Sequence, residues 1–410
     1  MTKPMDFDNT ARLLAAAMRE EADLAMTTTN TPQELQRFRD DVAKRRRRNQ
    51  VLAAAAATIL VGGGATYAGF ALSDHHGKAR LPGSHTPAPT VTQTLPAPAP
   101  LPAGTHVSVL DGPVQLGPSA FGAVWATGPG SGSGGNLYRI SLDGTRIVSS
   151  TPYAGFVIDR PPIRIGNDIA VPSENGAASA WLLMSPTGHP LASIPVTVTG
   201  LGAGDASGGW LQTDSGTVAR LDAGATHFGR QVAIAGAQMS AFALGGGYFW
   251  VGDENSIALL QVDPNTGSTV HSYSIATGSS RLNGIVLQAI YSNGAVFVSS
   301  SVDFALRRID VTTHSVTAIT HSPTDGYWFL LAIAPDGSLW GESANGVVDH
   351  FNPATLAAQR VSRVFTPSGK TPRFGNRNQL DALGFGVTVT ADHVFVTDGP
   401  AHKLYSYPLS

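Results

Sequence analysis

The residues in this sequence that could do chemistry are carboxylates, with a few basic and aromatic side chains beside them. Asp214, Asp253 with Glu254, Asp303, Glu342, and Asp398 with His402 each stand at or just beyond the end of a short apolar run. A second group falls in segments that link such runs: Tyr327 and Trp328 in 325–328, and Arg373 in the long stretch 366–380, which also carries Lys370 and Arg377. Carboxylates can act as general bases or accept hydrogen bonds from a ligand, and aromatic and basic neighbours suit a binding surface. The plain alternative is that loop residues are polar because they are wet.

Fuller catalytic constellations are absent from the sequence. There is no HExxH, GxSxG, P-loop or EF-hand pattern. The adjacent carboxylates Asp253 and Glu254 fall far short of the six to eight oxygens that calcium takes. His271, His314 and His321 fall in or near expected outer strands and read as surface residues. With no cysteine, thiolate zinc sites, a Cys nucleophile, disulfides and a lipidated cysteine are all excluded. No cofactor or metal is expected. The formal net charge of −2 argues against a general nucleic-acid binder.

The elements that must position these side chains recur. A short strand centred on Trp or another large apolar residue, led by a Gly- or Asp-containing turn, appears at Trp125, Ile169, Trp210, Trp250, Phe297, Trp340 and Phe395. The spacing is about 40 to 47 residues until the last copy, which carries an insertion, and this is the period of four strands per propeller blade. A polar loop and a third strand follow each copy, as in 136–140, 258–262 and 306–310. Turns such as Asp143-Gly144-Thr145 and Asp263-Pro264-Asn265-Thr266-Gly267 lead to a fourth strand, for instance 269–274. The last copy ends at Lys403-Leu404-Tyr405-Ser406-Tyr407, one strand short, and 106–110 precedes the first copy without a role. The expected fold is therefore an all-β, seven-bladed β-propeller over 106–410, closed by 106–110 as the outer strand of blade 7. The recurring Trp and Phe residues are expected in the core. Charged residues at 14% and 46 glycines suit short strands and tight turns.

At these residues the chain resembles the streptogramin-lyase-like, NHL-like and YVTN-type propellers. Ser338-Leu339-Trp340-Gly341-Glu342, followed by Gly346-Val347-Val348 and Phe351-Asn352-Pro353, looks most like the lyase-like repeat. The resemblance covers about 300 residues. It implies a propeller, and it offers Glu342 as a general base. No pair of histidines sits at comparable loop positions to complete lyase-type chemistry.

Ahead of the repeats, 51–72 is an uncharged apolar run, long enough at about 1.5 Å per residue to span a bilayer core of about 30 Å. Lys44-Arg45-Arg46-Arg47-Arg48 abuts it, which sets the N-terminus in the cytoplasm and the repeats outside. The expected divisions are a helical cytoplasmic segment (1–48), a transmembrane helix (49–73), a Pro-rich stalk (74–105) and the propeller. This layout resembles membrane proteins of high-GC Gram-positive bacteria, and also membrane-bound regulators of sigma factors, whose His/Cys zinc motif is missing here. Three functions follow as expectations. The first is a non-enzymatic, extracytoplasmic propeller that binds a ligand, envelope polymer or protein. The second is a lyase or hydrolase using Glu342 or Asp398, and the third is a regulator whose residues 1–48 hold a cytoplasmic partner.

Overall fold

Strand formation in this chain follows from the alternation of large apolar and polar residues between Gly-, Asp- and Asn-rich turns. The computed structural model describes residues 84–85, 90–92, 101–130, 134–155, 160–175, 178–275, 286–300, 305–320, 328–343, 346–365 and 386–409. The expected cytoplasmic segment and transmembrane helix lie outside the described residues, as do Asp303, Tyr327 and Arg373. Among the described residues no helix is long and apolar enough to cross a membrane.

Seven antiparallel sheets follow one another along the chain. Blade 1 holds strands Gln115–Ala120, Ala123–Pro129, Gly135–Ser141 and Ile147–Tyr153. Blades 2 to 6 repeat this meander, with second strands Asp168–Asn175, Gly208–Asp214, Tyr248–Asp253, Ala295–Ser300 and Leu339–Ser343. Blade 7 has three strands in sequence, Gly386–Val389, His393–Asp398 and Lys403–Pro408. Its fourth is His106–Val109, antiparallel to Lys403–Pro408 with His106 opposite Ser406 and Val109 opposite Lys403. The expected closure is therefore present: the first strand of the domain completes the last blade, which leaves no blade half-built.

The core is divided among seven seams, and each seam holds one apolar cluster. Period two decides which residue faces which seam. In blade 4, Trp250 packs toward blade 5, while Phe249 and Val251 pack toward blade 3. Trp125, Phe297, Trp340 and Phe395 likewise face the following blade, with Phe395 reaching blade 1. Trp125, Trp250, Phe297 and Phe395 are each at most 1% exposed. Because both faces of each second strand are covered, these strands read as continuous apolar runs. Buried indoles keep a partner: Trp125 Nε1 donates to the Ala120 carbonyl at 3.1 Å and Trp250 Nε1 to the Gly245 carbonyl at 3.0 Å.

Blade 2 corrects the sequence alignment by one residue. Ile169 faces back toward blade 1, and Ala170 occupies the slot facing blade 3. Alanine cannot fill that slot. Trp181, from the neighbouring third strand, fills the seam instead and donates its Nε1 to the Gln212 carbonyl of blade 3 at 2.8 Å. The tryptophan has moved one strand outward, so the repeat is conserved in volume rather than in position.

Two short pieces of the Pro-rich segment are also strands. Ser84–His85 pairs in parallel with the outer strand of blade 4, and Thr90–Thr92 with that of blade 5. An outer strand has an unpaired edge, which is a template for further pairing.

Candidate functional site

In each blade, the loops between second and third strands share one face of the ring with the links between blades. Of the carboxylates singled out in the sequence, Asp214, Asp253, Glu254, Glu342 and Asp398 are described, and they lie at or just beyond the ends of second strands, on this face. They divide into those that hold the fold and those that face solvent.

Asp253 belongs to the first class. It is 5% exposed and closes blade 4's polar loop. Its Oδ1 accepts the N–H groups of Gln238 at 2.9 Å and Asn255 at 3.2 Å, and its Oδ2 accepts the N–H and Oγ–H of Ser256. Four donors leave little capacity for a ligand. Glu254, next along, is partly exposed and accepts from Gln238 Nε2 at 2.8 Å. Burial raises its pKa, the charge of Arg160 opposes that rise, and Asp253 adds to it. Arg160 precedes blade 2 and Glu254 belongs to blade 4, so the face joins charges from non-adjacent blades. Asp214 is exposed, its Oδ1 accepting the Ser215 N–H at 2.7 Å.

Glu342 and Asp398 stand in adjoining blades 6 and 7, and the charge of Asp398 adds a small upward push to the pKa of Glu342. Glu342 is 0% exposed. Its Oε2 accepts the N–H of Gly386, the first residue of blade 7, at 2.9 Å, while Oε1 is buried without a partner. Burial drives its pKa well above the usual carboxylate range, and the Gly386 hydrogen bond offsets only part of this. Burial thus favours the neutral form of a side chain that joins two blades. Asp398 is 6% exposed and accepts the Ala401 N–H at 3.2 Å. Its pKa is raised by burial, against the opposing effects of that hydrogen bond, Lys403 and His402. His402 is exposed and sits at a φ of 54° in the loop after Asp398. Trp328, read in the sequence as part of a link between strands, begins the first strand of blade 6.

The same position bears a buried polar side chain in other blades. Thr127 Oγ1 donates to the Arg160 carbonyl at 3.2 Å and Gln212 Oε1 accepts the Leu201 N–H at 3.2 Å, while in blade 2 Ser173, one place further along its strand, donates Oγ to the Ala154 carbonyl of blade 1 at 2.6 Å. These polar ends satisfy backbone groups between blades, where strand pairing cannot reach. Glu342 is the member of this set that happens to be ionisable.

Sequence reading missed the buried charges inside strands. Arg307 is 2% exposed and donates Nη2 to the Ile275 carbonyl at 2.9 Å, tying blade 5 to the end of blade 4. The adjacent pair Arg307-Arg308 was the available signal, since alternation forces one of two neighbours into a seam. His271 and His314, expected at the surface, are half-buried instead. Their rings lie 4.1 Å apart across the seam of blades 4 and 5, and His314 Nδ1 is 2.7 Å from Tyr273 Oη.

The fold and this face define the class: a seven-bladed β-propeller whose end-of-strand polar residues mostly serve the ring and whose loop residues present a mixed-charge surface. No protein family matches the chain, and no curated protein does. Solved structures do. The Cps50 (Swd1) β-propeller domain of Myceliophteria thermophila is 9% identical with a TM-score of 0.53, covering 74% of this chain and 98% of that one. BamB from Moraxella catarrhalis is 14% identical with a TM-score of 0.46, over 74% of this chain and 98% of that one. At such identities the likeness extends to the fold alone.

Proposed function

We propose that this chain is a membrane-tethered propeller that recognises a partner outside the cell through its second-to-third-strand loops, and that it is not a lyase or hydrolase. The burial of Glu342 carries this reading. A general base must reach its substrate and hold a charge at working pH, whereas this carboxyl is enclosed, bonded to Gly386, and shifted by burial toward its neutral form. Asp253 is similarly occupied by four donors. Asp214, Glu254 and His402 remain solvent-accessible on the same face and are the residues offered to a partner. The uncharged run 51–72 with its flanking basic cluster supports a cytoplasmic N-terminus and an extracytoplasmic propeller.

The test has two parts. Protease added to intact cells should digest the portion after residue 105 and spare the N-terminus; protection of the C-terminal portion would refute the topology. Crosslinking from the detergent-solubilised full chain should capture a partner that is lost on combining Asp214→Asn, Glu254→Gln and His402→Ala. Undiminished capture by this triple variant would refute the assignment of the face.

A further inference from the structure

Three blades carry an arginine at one place on the third strand, opposite the large second-strand residue: Arg139 opposite Trp125, Arg220 opposite Trp210 and Arg308 opposite Phe297. Two residues further on, blades 3 and 5 have aspartate, and the pairs form: Arg220–Asp222 at 2.8 Å and Arg308–Asp310 at 3.2 Å. Blade 1 has Ser141 there. Ser141 Oγ donates to Asp143 Oδ1, which also accepts the Thr145 N–H at 3.0 Å and Oγ1–H at 2.9 Å. The nearby carboxylate is thus directed into its own turn. Arg139 keeps one long contact, Nη2 to the Phe121 carbonyl at 3.5 Å, and its Nε is buried without an acceptor. Arg308 Nε also lacks an acceptor, but there Asp310 meets the charge.

Arg139 and Arg146 line one open hollow of about 380 Å³ on the face opposite the second-to-third-strand loops. Arg146 is exposed, and among the described residues its guanidinium makes no hydrogen bond or ion pair. Ser141 supplies a hydroxyl at the wall, and Leu142 and Val148, 42% and 43% exposed, supply an apolar side. Two guanidiniums against one carboxylate, itself taken up by three donors, leave the hollow net positive in a chain of net charge −2. Planar guanidinium groups are matched to oxyanions.

We propose that this hollow is a binding site for a phosphate group carried on a small apolar body, held by Arg139 and Arg146 with the apolar part against Leu142 and Val148. The missing aspartate of blade 1 vacates the arginine for an external anion. The site is independent of the opposite face.

Calorimetric titration of the full-length protein in neutral detergent tests it, with phenyl phosphate, inorganic phosphate and benzoate as probes. Phenyl phosphate should bind saturably and most tightly. Arg139→Gln and Arg146→Gln should each weaken it by roughly tenfold or more, the loss of a charge-assisted contact. Ser141→Asp restores the carboxylate of blades 3 and 5, and should weaken binding similarly while leaving the melting temperature equal or higher. No saturable binding by the wild type, or binding unchanged in both arginine variants, would overturn the site. Benzoate equal to phenyl phosphate would overturn the phosphate assignment, and inorganic phosphate equal to phenyl phosphate the apolar one.

Discussion

Glu342 allows the interplay of burial and charge to be tested directly. Its Oε2 is the acceptor for Gly386 N–H in a site of 0% exposure, with Oε1 unpartnered. Glu342→Ala would remove that acceptor and strand a buried N–H, a cost of about 1–3 kcal/mol. The small cavity left behind adds about 1 kcal/mol or more. Glu342→Gln keeps an oxygen to accept the N–H and should be close to neutral below pH 5. The pH dependence has a definite sign. The folded pKa is raised above the unfolded value near 4.5, so the native state binds the extra proton. The stability contributed by the neutral acid is fully present below that unfolded value and is lost as pH rises through the folded pKa. The slope approaches about 1.4 kcal/mol per pH unit across that window. Glutamine cannot ionise, so Glu342→Gln should become progressively more stable than wild type as pH increases. Thermal melts followed by tryptophan fluorescence between pH 4 and 9 would show this as diverging curves, at roughly 2 °C per kcal/mol for a domain of this size. If Glu342→Gln were as damaging as Glu342→Ala at every pH, the side chain would have to act as an ionised carboxylate, and the neutral-acid argument would be wrong.

Other outcomes follow from the same packing. Asp398→Asn removes the neighbouring charge that raises Glu342's pKa, so Glu342's share of the loss of stability should level off at lower pH and be smaller than in wild type, read from the same melts. Thr388 Oγ1 donates to the Gly117 carbonyl at 2.7 Å and Ser406 Oγ to the Asp143 carbonyl at 3.0 Å, both across the closing seam. Thr388→Val and Ser406→Ala should each cost about 1 kcal/mol in urea unfolding, with a larger loss for the Thr variant if the buried carbonyl stays dry. Trp250→Ala should cost about 3–5 kcal/mol by leaving a cavity between blades 4 and 5, and a melting temperature within a degree of wild type would refute its core role. A Cβ on Gly245 would overlap the Tyr291 ring, so Gly245→Ala should lose about 1–3 kcal/mol through overpacking. Deleting residues 106–109 should abolish a single cooperative transition, because blade 7 would expose the edge of Lys403–Pro408.

The repeat was legible because the chain must bury both faces of every second strand, which leaves an unbroken apolar run at a fixed period. The outer strand of blade 7 was legible for a related reason: 106–110 has strand pattern and no partner in its own neighbourhood, while 403–407 lacks one at the other end. Blade 2 was misread because a single-strand template cannot register a tryptophan transferred from the second strand to the third; Ala170 and Trp181 share one seam and only their joint volume is fixed. The histidines at 271 and 314 were assigned to the surface for want of knowing that a neighbouring blade would cover them.

The sequence by itself determined the number of blades, the strand order and the closure. All of these depend on local alternation and on turn chemistry, which act within a few residues. Tertiary structure alone decided what the ends of the second strands do. Glu342 and Gln212 occupy the same place in their second strands, yet one is sealed under Gly386, 44 residues away in the next blade, and the other accepts from Leu201, 11 residues away. The desolvation that raises the pKa of Glu342, like the lack of a carboxylate beside Arg139, is set by what the adjoining chain brings up against each side chain, and that is a property of packing rather than of order along the sequence.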